Sequence, residues 1–512
     1  MTKRGKFQLA MSFGLAASLA AVSPAKAQSD IEEQIKALEA EVQKIEPLKE
    51  QIERLRHQQL EMRKEATAAA REMPSFSYRP GRGLTVSGAD KSWGFNTSAR
   101  FNIYNYNILG AKSNYNDNGV QRNTGSTAFE FYPRRARVYT TFCWKDCFYS
   151  YEHSIDGETA SRDASFRDNE FMVNFSQLNP WLPYFSIGLR RGAGRTHISR
   201  SSDNDGKVEH SIILDGFDWG GDGSHAGMGL GWDGVEIGSG EYDLFLNFAS
   251  SQQGTWQEFL PSDRKGFLGF IGGRPFANTK NKWISGIDLG VGYQGESQDR
   301  PENFDPLEAG NRVRVRNGER KSRQTFWEPA PLSNGGSEQN VGSGWSYVWI
   351  PGIKWTIGPY FVRFVYVNTR FANINPGIGS GIYGSGWTID HQIRLWSPKG
   401  FFTGSQTTPN SVIFSYGFER ADMNCGRACD ASPSTGSFHR NHITEMESAL
   451  WYWFQPSLGF GVWWQRWTSS NTPYRTQVAT GCKDSRVEAL AGKGVSRSCT
   501  FNSFNTGLRY RW

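Results

Sequence analysis

The sequence predicts an all-β transmembrane barrel behind a short N-terminal coiled-coil helix, and three observations carry that prediction. The first is the chain end. Phe504, Thr506, Leu508, Tyr510 and Trp512 fall on one face, and Asn505, Gly507, Arg509 and Arg511 on the other. A period of two with one greasy and one polar face marks a β-strand. A strand that ends on an aromatic residue suits the closing strand of a barrel, with Arg509 and Arg511 turned to a watery lumen. The last strand of a soluble sheet would show the same alternation, so the other two observations matter.

The second is the chain start. Lys3, Arg4 and Lys6 precede a mostly apolar stretch from Leu9 to Val22, and Ala25-Lys26-Ala27 supplies a small-x-small cleavage site. This is the pattern of a secretory signal peptide over residues 1–27, too short for a membrane anchor, which needs about twenty apolar residues. The third is composition. The chain has 512 residues, 38% hydrophobic, with 19 Trp, 19 Tyr, 34 Phe and 57 Gly. Abundant aromatics without long apolar runs favour β-structure over helical spans. The greasiest candidate, Trp345 to Val367, contains Pro351, Lys354, Pro359 and Arg363 and reads better as two strands joined at Gly358-Pro359.

Charge excludes little except nucleic acid. The formal net charge is +7. Without Lys3, Arg4, Lys6 and Lys26, 53 basic residues face 50 acidic ones, an excess too small for a nucleic-acid binder. Any preference for anions has to come from local placement of charge.

Residues 28–73 form a separate periplasmic module. Ile31, Ile35, Leu38, Val42 and Ile45 alternate spacings of four and three, a heptad seam that resumes at Leu48, Ile52, Leu55 and Met62, with Gln59 at one seam position. Pro47 sits where the register loses one residue, and a kink or break is expected there. A helix this short is stabilised by a partner, so self-association is the first reading; a single amphipathic helix on the barrel is the second.

Residues 74–512 read as the barrel. Trp93, Phe95, Thr97, Ala99, Phe101 and Ile103 alternate with mostly polar neighbours, as do Leu244, Leu246 and Phe248. Further strand-like pieces fall near 148–156, 168–177, 183–190, 284–293, 360–369, 386–396, 411–418, 443–454 and 457–467. Long polar segments at 199–210, 295–343 and 421–441 are expected as surface loops or loops folded into the pore.

Phe131-Tyr132-Pro133-Arg134-Arg135-Ala136-Arg137-Val138-Tyr139, followed by Phe148-Tyr149-Ser150-Tyr151-Glu152, resembles the early hairpin of the phosphate-selective porin O/P family. Asp168 to Phe175, leading into Phe185 to Arg190, is similar to the next hairpin. The resemblance covers about residues 90–200 and the C-terminus. It implies a homotrimer of barrels of about sixteen antiparallel strands in the bacterial outer membrane, passing small anions. The family's phosphate-binding arginines and lysines have no residue-by-residue counterpart in this chain.

Arginine placement is the best functional clue. Arg312, Arg314 and Arg316 alternate with Val313 and Val315, so an extended backbone would stack three guanidinium groups on one face. Lipid-facing Arg costs about 2–4 kcal/mol at mid-membrane, which excludes the lipid face and leaves lumen or loop. Glu308 and Glu319 nearby make a loop salt-bridge patch an equal alternative. Arg135 and Arg137 share a face, with Arg134 on the other unless a bulge intervenes; the pore wall and a rim cluster both fit. Arg190, with Arg191 and Arg195, would line a strand end or an inward loop.

Six cysteines form sequence-local pairs, Cys143 with Cys147, Cys425 with Cys429 and Cys482 with Cys499. In an exported chain these read as disulfides rather than a zinc site, since neither short pair has zinc spacing or adjacent histidines. Trp451, Trp453, Trp463, Trp464 and Trp467 invite a sugar-stacking hypothesis, but a membrane-interface girdle is the expected role. His439 and His442 fall in a polar, loop-like stretch. No cofactor is expected, and no recognisable nucleophile motif supports an enzyme. The reading is therefore an outer-membrane porin for passive diffusion of small anions, phosphate among them. A carbohydrate-selective porin, a barrel-embedded lipid hydrolase and a structural tether are the alternatives.

Overall fold

The N-terminal heptads form one element, α1 (Pro24–Glu72), in a unit of its own spanning residues 1–73; residues 74–512 make the second. A computed structural model of the chain describes residues 24–109, 114–117, 120–123, 127–157, 165–191, 213, 224–252, 266–298, 315–316, 325–327, 332–334, 337–339, 344–371, 382–397, 409–424, 440–470 and 498–512. Of the kink or break expected at Pro47, the break is corrected: the helix runs through it. One missing N–H costs a single backbone hydrogen bond, and long helical arms on both sides outweigh that local loss. Ile35, Leu38, Ile52, Leu55 and Met62 of the heptad seam are all exposed. Among the described residues, no helix is long and apolar enough to cross a membrane.

The second unit is built from strands. A hairpin of β1 (Ser75–Arg79) and β2 (Gly83–Ser87) precedes β3 (Trp93–Leu109), and β4 (Asn114–Asp117) and β5 (Val120–Asn123) make a small loop hairpin. Then follow β6 (Thr127–Trp144), β7 (Tyr149–Asp156), β8 (Ser165–Asn174), β9 (Tyr184–Arg191), β10 (Ser224–Ile237), β11 (Gly240–Gln252), β12 (Gly266–Arg274) and β13 (Ile287–Gln298). Between β13 and the next long strand lie four short pieces, β14 (Val315–Arg316), β15 (Thr325–Trp327), β16 (Leu332–Asn334) and β17 (Ser337–Gln339). The chain ends with β18 (Gly344–Ile357), β19 (Tyr360–Phe371), β20 (Ile382–Trp396), β21 (Ser411–Asn424), β22 (Arg440–Gln455), β23 (Leu458–Ser470) and β24 (Ser498–Arg511).

Sixteen of these pair antiparallel with their sequence neighbours, from β3 and β6 through β13 and on from β18 to β24. Pairing of β24 with β3, from Asn502↔Leu109 to Arg511↔Arg100, closes the circle. Closure leaves no free edge inside the barrel, which is what a sheet in hydrocarbon requires. Trp512 and Ala99 complete the seam through reciprocal backbone hydrogen bonds of 2.8 and 3.1 Å. Beyond Trp512 the edge of β3 is taken by β2, from Leu84↔Thr97 to Ser87↔Gly94. Gly83, at φ +81°, makes that approach possible, because a Cβ there would sit 1.9 Å from the Thr97 carbonyl oxygen.

Alternation sorts the side chains. On β24, Asn505 and Arg509 are buried while Phe504 and Leu508 face outwards, as the closing-strand pattern predicts. Leu450, Phe460, Val462, Phe364 and Ile271 extend the apolar exterior around the barrel. The predicted turn at Gly358-Pro359 joins β18 to β19, with Gly358 at φ +52°.

At the end that carries the short turns, Trp181 and Trp283 are exposed, as amphipathic rings at a membrane interface would be. Trp181 and Trp283 sit in matching turns, each donating its N–H to an Asn Oδ1 two residues earlier, at 3.0 and 2.9 Å. Each also accepts an indole N–H on its carbonyl, from Trp232 at 2.9 Å and from Trp355 at 2.7 Å.

Cys143 and Cys147 form the predicted disulfide across the turn from β6 to β7. Cys425, Cys429 and Cys482 lie outside the described residues; Cys499 lies on β24 opposite Ser469, its side chain likewise not described. Replacing Cys143 and Cys147 by Ser is expected to cost about 2 kcal/mol, as befits so short a loop. The check is the temperature at which the folded band is lost on a semi-native gel; conductance should be unchanged.

Candidate functional site in the barrel lumen

Arginines gather on the inner wall near the closing seam. Arg135 and Arg137 are each 1% exposed and point inwards from β6. A β-bulge puts them there: Asn102 pairs with Arg135 and Ile103 with Pro133, so Arg134 is the extra residue. The bulge reverses the alternation, which lets Phe131 and Val138 both face outwards. Cross-strand register then joins them to three more arginines. Arg509 pairs with Asn102, which pairs with Arg135; Arg511 pairs with Arg100, which pairs with Arg137. Five guanidinium groups on three adjacent strands thus share two rows of the inner wall.

Aromatic rings hold part of this group in place. Trp451, Trp453, Trp463 and Trp467 are 1–4% exposed and face the lumen, so the expected girdle is corrected for these four; Trp464, on the opposite parity, takes the outer face. Glycines on the facing strands explain the inward choice. A Cβ at Gly461 would lie 2.5 Å from the Trp451 ring, one at Gly459 2.7 Å from Trp453, and one at Gly507 2.6 Å from Tyr104. The rings therefore lie flat on bare backbone. The Arg509 guanidinium stacks 4.3 Å over Trp451, and its Nε donates to the Tyr104 hydroxyl at 2.8 Å. Arg511 lies 5.4 Å over Trp453, and Arg100 5.2 Å over Tyr139. Glycine, indole and guanidinium form successive layers, and stacking plus one hydrogen bond pre-orients the charge.

Further along the strands the wall changes sign. Glu419, Glu445 and Glu447 are buried inwards, with Glu419 directly opposite Glu445. Gln465 Nε2 donates to Glu445 at 3.3 Å and to Glu447 at 2.9 Å, while Asn505 Nδ2 donates to Gln465 Oε1 at 3.0 Å. Glu447 and Trp453 are six residues apart on β22, about 20 Å of extended strand. On the neighbouring arc, Asp288 pairs with Lys354 at 2.8 Å, and Asp390 accepts from Arg363 Nε at 2.8 Å, so those charges cancel locally.

One residue enters from a connection. Ile213, the described residue of the segment joining β9 to β10, is fully buried. A Cβ on Gly386 of β20 would sit 2.4 Å from its Cγ2. Strands β9 and β20 are seven positions apart in a ring of sixteen, so Ile213 has crossed the lumen. Its landing area is apolar, the register row Val367, Gly386, Ala421 and Ile443. Sequence reasoning missed this contact; the apolar run Ile212-Ile213-Leu214 beside a polar loop was the available signal.

Other expected residues lie elsewhere. Arg190 is on β9 with its side chain outside the described residues, as is Arg191, and Arg195 lies wholly outside them. Arg316 belongs to the β14–β15 hairpin, which among the described residues pairs with no barrel strand, and Arg312 and Arg314 lie outside the described residues. Arg316, the described one of the three, is thus in a hairpin apart from the barrel ladder. His439 also falls outside, whereas His442 is on β22 beside Asp422, whose carboxylate is bidentate to Arg420 at 3.1 and 3.1 Å; this cluster faces outwards at the long-loop end.

No protein-family model matches the chain, and no curated protein sequence matches it. Solved structures similar to it include the loop L8 deletion mutant of OmpT, an outer membrane protein of Vibrio cholerae, at 9% identity over 82% of this chain and 100% of that one, with a TM-score of 0.49. The outer membrane channel DcaP of Acinetobacter baumannii is 8% identical over 82% of this chain and 98% of its own, with a TM-score of 0.45. OmpF of Salmonella typhi, in complex with daunomycin, is 8% identical over 86% of this chain and 100% of its own, with a TM-score of 0.42. The barrel assignment here stands on the strand pairing itself.

Proposed function

We propose that the chain is an outer-membrane porin that passes small anions, phosphate among them, by passive diffusion. The observation that carries this reading is the inward group of Arg100, Arg135, Arg137, Arg509 and Arg511 in a closed sixteen-stranded barrel with an apolar exterior. Barrels of this strand number leave room for an aqueous channel. Several guanidinium groups close together raise the local anion concentration, and a series of weak sites keeps transit fast. Arg190, Arg312, Arg314 and Arg316 join the proposal as further anion contacts from strand end and connection.

The anion reading is favoured over the carbohydrate one by the state of the tryptophans. Trp451 is covered by glycine backbone on one side and by a guanidinium on the other, leaving 4% of its surface exposed. A sugar would have no free ring face to stack on. Self-association through the exposed seam of α1 completes the proposal as a homotrimer.

Single-channel recording in a planar bilayer, with ion selectivity and a phosphate titration, tests it. Anion-selective steps blocked by phosphate are expected. Large steps without block would retain the porin and remove phosphate; no steps from folded protein would remove the porin.

A further inference from the structure

The outer wall of β21–β24 changes chemistry at one level. Outward positions on β21 run Val412, Phe414, Tyr416 and Phe418, then Arg420 and Asp422. On β23 they run Leu458, Phe460, Val462 and Trp464, then Arg466 and Thr468. Met446 of β22 gives way to Thr444 and His442, and Phe504 of β24 to Asn502 and Thr500. Cross-strand register puts the change within one residue pair on all four strands. Phe418, Met446, Arg466 and Asn502 share one row, and Arg420, Thr444, Thr468 and Thr500 share the next outward-facing row towards the long loops. A lipid-facing arginine costs about 2–4 kcal/mol at the bilayer midplane and about 0–1 kcal/mol near the interface, so these rows mark the edge of the apolar band. Long loops of such barrels are extracellular, which makes this the outer-leaflet edge.

The edge is cationic and rich in hydroxyls. Among the described residues, Arg370, Arg420 and Arg466 hold outward positions on β19–β24 alongside one acid, Asp422. Asp422 is already engaged: it accepts from Arg420 Nε and Nη2 at 3.1 and 3.1 Å and pairs with His442, which fixes the Arg420 side chain on the wall. Arg466 is exposed, with no acidic partner among the described residues. Thr444 and Thr468 lie between the two arginines, and the Thr468 and Thr500 hydroxyls are 3.2 Å apart. Strand and pleat spacings put the Arg420 and Arg466 backbones about 12 Å apart, two strands across and one outward position down. Guanidinium forks match phosphate oxygens, and hydroxyl and amide groups both donate to and accept from sugar hydroxyls.

From these we infer that the outer wall of β21–β24 binds a phosphorylated glycolipid of the outer leaflet. Arg420 and Arg466 take phosphate, Thr444, Thr468, Thr500 and Asn502 take the sugar hydroxyls between them, and Phe418, Trp464 and Phe504 receive the acyl chains. Free phosphate would use the arginines and nothing of the apolar wall beneath them. A ligand that joins phosphate, sugar and hydrocarbon uses all three layers in the order in which the wall presents them. The inference rests on the reading of the barrel as membrane-spanning, and it adds a ligand outside the lumen to the channel within it.

Native mass spectrometry of the full chain in mild detergent tests it, with a bisphosphorylated diglucosamine lipid as the probe. Lipid adducts are expected for the unaltered chain and for Lys282→Gln, which removes an exposed cation at the short-turn end. The double variant Arg420→Gln/Arg466→Gln should bind about tenfold more weakly or worse while keeping its heat-modifiable folded band. Should the pair not fold, Arg466→Gln alone carries the comparison. Removing both phosphates from the probe should weaken its binding to the unaltered chain by a similar factor, and neither phosphatidylglycerol nor millimolar inorganic phosphate should displace it. Undiminished binding by the variant, equal binding of the dephosphorylated probe, or displacement by either competitor would overturn the inference. Conductance steps in bilayers free of glycolipid should be the same for variant and unaltered chain. Steps lost in the variant alone would overturn the placement of these arginines outside the lumen; steps absent from both would count against the channel reading and leave this site standing.

Discussion

Ile213→Asp is expected to enlarge single-channel steps. Ile213 is fully buried on an apolar area of the wall opposite its own strands, where Val365, Val367, Ala421, Met423 and Ile443 are all 0–1% exposed. A carboxylate has no counter-ion among those side chains, and burying an unpaired charge costs several kcal/mol, enough to empty the docked state. Ile213→Ala acts in the same direction through lost packing alone, at about 2–5 kcal/mol. Recordings at fixed salt compare the three proteins, ordered Asp, Ala, Ile from largest to smallest step. Unchanged steps in the Asp protein would show that the docked residue does not narrow the path.

The second large effect is on selectivity. Arg135→Glu combined with Arg509→Glu reverses two charges in one register row of the inner wall. A unit charge acts on an ion 4 Å away with about 1 kcal/mol in water and about 4 kcal/mol at a protein-like effective dielectric. Even the lower figure, applied to two reversals, shifts the anion-to-cation permeability ratio by about tenfold or more. Reversal potentials across a salt gradient measure it, and raising the salt should shrink the difference through screening. A ratio that does not move would place the permeating ions away from these arginines. Arg509→Lys is informative beside it, because an ammonium keeps the charge but loses the planar stack on Trp451.

The alternation that announced β24 was legible because its two faces differ in chemistry: Asn505 and Arg509 inside, Phe504 and Leu508 outside. The same rule failed to orient β22, where Leu450, Tyr452 and Phe454 alternate with Trp451 and Trp453 and both faces are greasy. What decides the direction there is the absence of side chains across the strand, at Gly459 and Gly461, a pairing that exists only once β23 is in register. The Arg134 bulge is legible only as an option, since one extra residue leaves no compositional trace. The alternating arginines at 312–316 have the period of a strand, but period alone does not say which sheet a strand joins, and Arg316 pairs within a local hairpin. Ile213 went unread for the opposite reason: a single apolar anchor has no period at all.

The seam at β3 has a consequence for how the molecule is made. One edge of that strand is shared end to end by β2, only a few residues before it, and by β24, some four hundred residues after it. The near partner can zip on from a few residues away, while the far one has to be brought back from the other end of the barrel. Contacts of such sequence separation are slow to form, and until then β3 offers an unpaired edge to any strand it meets. The early hairpin masks only four residues of that edge, Gly94 to Thr97. Productive assembly of this chain is therefore a race between its own final strand and every competing one, and truncation by a few C-terminal residues should harm biogenesis far more than it harms the finished barrel.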